Sequence, residues 1–174
     1  MAYNVTGVSG NTLARELLVA YLNTGTAAAP VWSILGKRVE ESSEEFDWQT
    51  ESKKDIIGNT FNTMKKPIIS QEFTPCQLDS GETALTKIWE IAVRDQDNQA
   101  LANQDMLIVH CYTTDGETNP KFFAERYAAC MVEVSSIGGP GGGDLEMPLK
   151  VTYGGTRTVG GATIAGGVVT FTED

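Results

Sequence analysis

The sequence predicts a mainly β fold with a single helix laid on its sheets. Strand-length runs of Val, Ile, Phe, Tyr and Thr recur along the chain, and Gly-rich and Asn-rich turns separate them. Only one long stretch, Asp79–Leu101, has helical spacing. Within it Leu85, Ile88, Trp89, Ala92 and Val93 fall at i, i+3, i+4, i+7 and i+8, one apolar stripe that must be buried against something else. Asp79-Ser80-Gly81-Glu82 reads as its start, with Asp79 as cap and Glu82 reaching back three residues later. Trp89 and its neighbours read as core packing.

From the beginning of the chain, Met1–Leu13 is polar and Gly-containing, and is expected to be an arm that orders only against a neighbour. Arg15–Asn23 suits either a helix or a strand; Leu18-Val19-Ala20-Tyr21-Leu22 running into Asn23-Thr24-Gly25-Thr26 favours a strand entering a turn. Val31–Leu35 would return beside it as a hairpin, with Val39 continuing the pairing past Gly36-Lys37. Thr60–Thr74 alternates loosely, as a long strand with one wet face would, and Pro67 puts a break or an edge in it. Met106–Thr113 is a strong strand; Asp115-Gly116 turns it, and Phe122–Val134 returns. Leu145–Tyr153 reads as strand, and Thr156–Thr163 and Val168–Thr172 flank Gly166-Gly167, a pair suited to a tight hairpin turn.

Between these elements, residues 40–62 form a charged excursion: Glu40, Glu41, Glu44 and Glu45 precede Phe46-Asp47-Trp48, and Glu51, Lys53, Lys54 and Asp55 follow. A charge run alone is a solvated face. That remains the first reading here, but Phe46, Trp48, Ile56 and Ile57 are embedded in the run, which weakens it and keeps a docking surface open as the second.

Composition narrows the function classes. At 174 residues with 41% hydrophobic side chains and no apolar run long enough to span a bilayer, the expectation is one soluble domain with a sizeable core. A formal charge of −10 and a pI near 4.5 exclude a protein that grips nucleic acid through its phosphates. Cys76, Cys111 and Cys130 are odd in number and lack metal-ligand spacing, so they read as reduced thiols. Met1–Gly10 has no basic and apolar leader pattern.

Chemistry finds little footing. Asp95-Gln96-Asp97-Asn98-Gln99 has the look of a calcium loop, but Ala100 sits where Gly is needed and Met106 where Glu is needed. The single histidine, His110, precedes Cys111 on a strand, so the two side chains point to opposite faces and make neither a metal pair nor a nucleophile–base pair. A structural histidine is expected. Gly138-Gly139-Pro140-Gly141-Gly142-Gly143 lacks a Gly-Lys-Ser/Thr ending and precedes a strand, so it reads as a flexible connection rather than a phosphate loop. No cofactor fingerprint and no catalytic set are present in the sequence, and no enzymatic activity is expected.

One helix covers only part of a sheet, and self-association into a closed ring would bury what remains. At this point the chain resembles the major tail, or tail tube, proteins of long non-contractile-tailed bacteriophages and their prophages. The resemblance is carried by Arg15–Gly25 followed by Val31–Lys37, by the excursion closing on Asp55-Ile56-Ile57-Gly58-Asn59-Thr60, by Phe123-Ala124-Glu125-Arg126-Tyr127, and by Gly138–Gly143. It implies a β-sandwich with barrel-forming sheets flanked by one α-helix, residues 15–174 as one unit with residues 1–14 as an arm, and six copies closing into rings that stack as a tube for DNA. It also implies that Gln49, Thr50, Glu51, Ser52, Lys53, Lys54, Asp55, Ile56, Ile57, Gly58 and Asn59 form the loop that reaches the adjacent ring. The implied partners are further copies of the chain, a tape measure, a tail terminator and baseplate or tip proteins. DNA would pass without specific binding, no membrane would be involved, and the location would be the virion tail, assembled in the bacterial cytoplasm. The inner tube of a contractile tail, tailocin or secretion system is an alternative with the same architecture. An acidic carbohydrate-binding or adhesion module is another, and would need an exposed aromatic platform.

Overall fold

The computed structural model describes residues 2–7 and 10–174. In chain order the strands are β1 (Asn4–Val5), β2 (Leu18–Asn23), β3 (Trp32–Leu35), β4 (Val39–Glu41), β5 (Glu44–Asp47), β6 (Glu51–Lys54), β7 (Thr60–Thr63) and β8 (Ile68–Cys76). After them come helix α1 (Thr83–Trp89), wider π-type turns over Glu90–Asp95 and the short α2 (Asn98–Leu101). The chain closes with β9 (Gln104–His110), β10 (Thr113–Thr114), β11 (Phe122–Val134), β12 (Leu149–Tyr153), β13 (Arg157–Ala165) and β14 (Val168–Glu173). The fold is mainly β, with curled sheets and one main helix.

β11 is the hub. Its first half, Phe122–Tyr127, lies between β9 and β13, all antiparallel. The register slips between Tyr127 and Cys130, and beyond that bulge Met131–Val134 pairs with β12 instead. A bulge bends a strand and increases its twist, which lets one strand pass from one sheet to the next. One sheet therefore runs β3-β2-β9-β11-β13-β14, and the second runs β11-β12-β8 with β4 and β5 on the far edge of β8. The first sheet curls until β14 lies beside β3.

This curl gives the first sheet two buried faces. Met106 and Ile108 of β9 point into the core between the sheets with Leu22, Phe73, Val132 and Val151, while Leu107 and Val109 point the other way, to Tyr21, Trp32, Ala124 and Val169. Burial on both faces explains why β9 reads as a continuous apolar run rather than an alternating one. The hairpin of β2 and β3 forms as expected, Ala20 opposite Leu35 and Asn23 opposite Trp32. The β13–β14 turn is also as expected: Gly166 and Gly167 take φ of 57° and 82°, the conformation a two-residue turn demands.

Helix α1 closes the core between the sheets with Ala84, Leu85 and Ile88 buried and Trp89 packed against them. Here the helix expectation needs correction. Helical periodicity stops at Trp89; through Glu90–Asp95 the wider turns rotate the face, so Ala92 and Val93 are only half-buried. Asp79 is not the cap. Its carboxylate accepts from Gly81 N at 2.9 Å within the preceding turn, and the buried Glu82 holds the cap position without a side-chain bond. Asp97 caps α2 through Gln99 N and Ala100 N.

Three other expectations shift. Val39 leaves the first hairpin and pairs with Cys76 as part of β4. The long strand over Thr60–Thr74 divides at Met64–Pro67 into β7 and β8. The strand expected from Leu145 begins at Leu149, because Glu146 is engaged in bridges to Gln77 and Gly138. At the N-terminus, β1 pairs with Thr113–Thr114 and Tyr3 donates to Asp174 at 3.2 Å, so residues 3–6 lie on their own chain. Met1, Val8 and Ser9 of the expected arm lie outside the described residues.

Candidate functional site

The charged excursion is a free-standing β-hairpin. Among the described residues β6 and β7 pair only with each other, Glu51 opposite Thr63 and Lys54 opposite Thr60. Every residue from Glu45 to Lys66 is exposed. Lys65 N donates to Trp48 O at 3.1 Å and closes the root. Of the residues expected to make a contact loop, Glu51, Ser52, Lys53 and Lys54 are β6, Gln49 and Thr50 lead into it, and Asp55, Ile56, Ile57, Gly58 and Asn59 form the tip.

The tip is built by Asp55. Its carboxylate accepts from Ile57 N (3.0 Å), Asn59 N (2.8 Å) and Asn59 Nδ2 (3.1 Å), and Gly58 supplies the positive φ of 91° that closes the turn. Desolvation works to raise the Asp55 carboxyl, but the donors from Asn59, Ile57 and Gly58 outweigh it and hold it below the usual carboxylate range. With the backbone polar groups satisfied inside the turn, Ile56 and Ile57 are pushed outward, at 104% and 78% exposure. Phe61 of β7 and Met64 just beyond it are also exposed, between the tip and the root.

At the root lies a cleft of about 620 Å³. One wall is Phe46 and Trp48, ring centroids 6.3 Å apart and planes 18° from parallel, both about half exposed. Lys66 and Pro67 come from the link between β7 and β8, and Gly154 and Gly155 form the opposite side. The floor is Tyr127, Tyr153 and a buried charged cluster. In that cluster Glu125 Oε2 accepts from Arg157 Nε (2.6 Å) and Tyr127 OH (2.8 Å), and Glu125 Oε1 lies 3.1 Å from His110 Nε2. Burial would raise the Glu125 carboxyl, but His110, Arg157 and Tyr127 hold it down at about 2. Burial pushes Glu44, next to this cluster, upward; its Oε1 has no hydrogen-bond partner among the described residues.

The hydrogen bonds of this cluster close on its own residues. His110 Nδ1 is taken by Tyr112 OH at 2.7 Å and Nε2 by Glu125, so neither ring nitrogen faces an incoming substrate. Cys111 packs on the opposite face of the sheet, as its adjacency to His110 requires. Burial raises all three thiols, Cys76 to about 11 and Cys130 to about 12, which makes them poor nucleophiles. The Gly run folds back on itself through Gly143 N to Pro140 O (2.9 Å) and the Gly138–Glu146 bridge, more tightly than a flexible connection would.

Two features escaped the sequence. The Phe46–Trp48 wall needs the β5–β8 pairing that sets Phe46 opposite Ile69. The Glu125 cluster draws on β9, β11 and β13, and its local trace is a charged pair, Glu125-Arg126, inside the otherwise apolar run Phe122–Val132. Arg126 points the other way, makes a two-point bond to Asp105 (2.9 and 2.7 Å) and lies over Trp32.

No family model and no curated relative matches the chain. Among solved structures, it is similar to the PVC sheath/tube terminator of an extracellular contractile injection system in its extended state. That similarity has a TM-score of 0.51 at 13% identity and covers 87% of this chain and 99% of that one. The PVC sheath–tube complex gives a TM-score of 0.49 at 12% identity over 88% of this chain and 94% of that one. The tube-terminating cap of the anti-feeding prophage gives 0.46 at 16% over 90% and 96%. At such identities the first of these establishes a shared fold.

Proposed function

We propose that this chain is a structural subunit of a tail-like particle, assembling with copies of itself into rings that stack as a tube, with no reaction to perform. The observation that carries the reading is the hairpin. A two-stranded ribbon is marginal by itself in water, and one exposed on both faces with two isoleucines at its tip is built to be covered. The fold shared with a sheath/tube terminator of a contractile injection system supports the reading and favours the contractile alternative over a long non-contractile tail. In this reading six copies close each ring, residues 15–174 form the ring unit, residues 1–14 act as its arm, and Gln49–Asn59 reaches the adjacent ring. Tape measure, terminator and baseplate proteins are the further partners, and an acidic lumen lets DNA pass without holding it.

The test is negative-stain electron microscopy across a concentration series, comparing the natural chain with an Ile56→Asp/Ile57→Asp double variant. Each isoleucine buried at a contact is worth about 1.5–3 kcal/mol, multiplied around a ring. Tubes from the natural chain and only short stacks or single rings from the variant are expected. Tubes of equal length from both would remove the hairpin from stacking.

A second reading keeps one observation on its side. Phe46 and Trp48 present near-parallel exposed rings, a feature a carbohydrate-binding module would use. A strictly monomeric protein that binds soluble oligosaccharides, and loses them on Trp48→Ala, would favour it.

A further inference from the structure

The hairpin has an apolar tip and, at its root, a cleft that the chain itself leaves open. We infer that the cleft walled by Phe46 and Trp48 is the receptor for the Ile56-Ile57 tip of a second copy's hairpin, so that each subunit donates one tip and accepts another. This rests on the self-assembly reading and names the contact that reading lacks.

The hairpin cannot satisfy itself. Ile56 lies eight residues beyond Trp48 along a paired ribbon. At about 3.3 Å per residue the tip stands up to about 26 Å from its own root, and the β6–β7 pairing stops it folding back. The occupant of the cleft must come from another molecule. The described chain offers no other exposed pair of adjacent large aliphatic side chains as exposed as Ile56 and Ile57.

One pair of charges also fits. Lys66 stands at the cleft with no carboxylate partner among the described residues, whereas Arg157 on the same lining is already paired with Glu125. The tip brings Asp55, whose carboxylate is fixed by its own turn and stays ionised. The apolar parts meet apolar walls: two isoleucines against Phe46, Trp48, Pro67 and the ring of Tyr127. A tip-to-root contact is heterologous, since the two patches differ. Repeated from copy to copy, such a contact closes a ring or extends a filament, and it does not stop at a two-fold dimer.

Cysteine cross-linking of the full chain tests this. Ile57→Cys and Lys66→Cys variants are mixed under mild oxidation, and the Ile57→Cys/Lys66→Cys double variant is oxidised alone. Each single variant alone and a mixture of Ile57→Cys with Val31→Cys, an exposed site on a different turn, serve as controls. A covalent dimer specific to the 57–66 mixture and a ladder of higher oligomers from the double variant are expected. Acrylamide quenching of the natural chain is the second measurement, because Trp48 is exposed whereas Trp32 is buried and Trp89 half-buried. Quenching falls on assembly if the tip covers Trp48, and does not fall for Ile56→Asp/Ile57→Asp.

Rings or tubes that form without 57–66 cross-links and without protection of Trp48 overturn the docking while leaving the tube reading in place. A ladder in soluble oligomers that never form rings upholds the docking and overturns the tube. A monomer that neither cross-links nor assembles at any concentration overturns both. Oligosaccharide binding that protects Trp48 in the monomer assigns the cleft to sugar and overturns the docking.

Discussion

Replacing Glu125 by Gln is expected to remove a defined, pH-dependent part of the stability. The carboxyl is buried and held at about 2 against an ordinary 4.5 by His110, Arg157 and Tyr127. A folded-state value below the unfolded one means that the ionised form is stabilised by folding. That contribution is fully present above pH 4.5 and is lost as the pH falls through 4.5 toward 2. The difference corresponds to about 3 kcal/mol as an upper figure, and the half-exposed Arg157, screened by water, brings it toward about 2 kcal/mol. Urea denaturation of the natural chain and Glu125→Gln from pH 7 to pH 2.5 reads it directly. The variant should be less stable at pH 7 by that amount, and the gap should close between pH 4.5 and 2. The comparison cancels Glu82, whose raised value acts in the opposite direction; Glu44 is raised mainly by burial and in part by the Glu125 charge, so its relief in the variant narrows the gap at pH 7. A gap that stays constant down to pH 2.5 would show that Gln fails for reasons of packing and refute the charge reasoning.

The remaining expectations concern the core and the edges. Glu82 is buried with neither carboxylate oxygen hydrogen-bonded among the described residues, and Lys37 Nζ is 4.0 Å away; burial raises its carboxyl, so folding favours the protonated form at low pH and that advantage is lost as pH rises. Glu82→Gln should therefore stabilise the protein at pH 7 by about 1–3 kcal/mol and lose that gain at acidic pH, read by thermal melts at both ends. Leu85→Ala, removing a fully buried side chain where α1 meets the sheets, should cost about 2–5 kcal/mol in denaturant unfolding. At Gly160 an added methyl would lie 2.1 Å from Thr172 O, so Gly160→Ala must shift backbone; a loss of about 1–3 kcal/mol with hydrogen exchange quickened in β14 is expected. Ile56→Asp/Ile57→Asp should leave monomer stability within about 0.5 kcal/mol, since neither side chain is buried.

The strands that sequence locates best are those whose identity is local. β11 runs over the expected Phe122–Val134, and the β13–β14 turn falls on its glycine pair. Element boundaries slip where tertiary contacts compete with local pattern. Val39 has a choice between β2–β3 and β8, and only the position of Cys76 decides it. The helix stripe fails after Trp89 because wider turns change the period, which no count of apolar residues at i+3 and i+4 reveals. The candidate site divides in the same way. Its tip is legible because Asp55, Gly58 and Asn59 are turn chemistry and Ile56-Ile57 stand out among charges. Its cleft is not, because Phe46, Lys66, Tyr127, Tyr153 and Arg157 come from five places along the chain and meet only once the two sheets have paired through β8 and β11.

The same hairpin that invites association must not cause it indiscriminately, and the charges settle how. Each copy carries a formal charge of −10, so random encounters are repulsive over roughly a Debye length of about 8–10 Å. A single exposed pair between Asp55 and Lys66 returns only about 0–1 kcal/mol and cannot overcome that repulsion by itself. Burying Ile56 and Ile57 against aromatic walls returns about 1.5–3 kcal/mol each, but only when the tip is seated. Attraction is thus short-ranged and geometric while repulsion is long-ranged and general. The hydrogen bonds around Asp55 add to this by fixing the tip before contact, so little conformational entropy remains to be lost on docking. Under the tip-in-cleft proposal, an acidic chain with a preformed apolar tip stays dispersed until copies meet in the one orientation that covers the isoleucines.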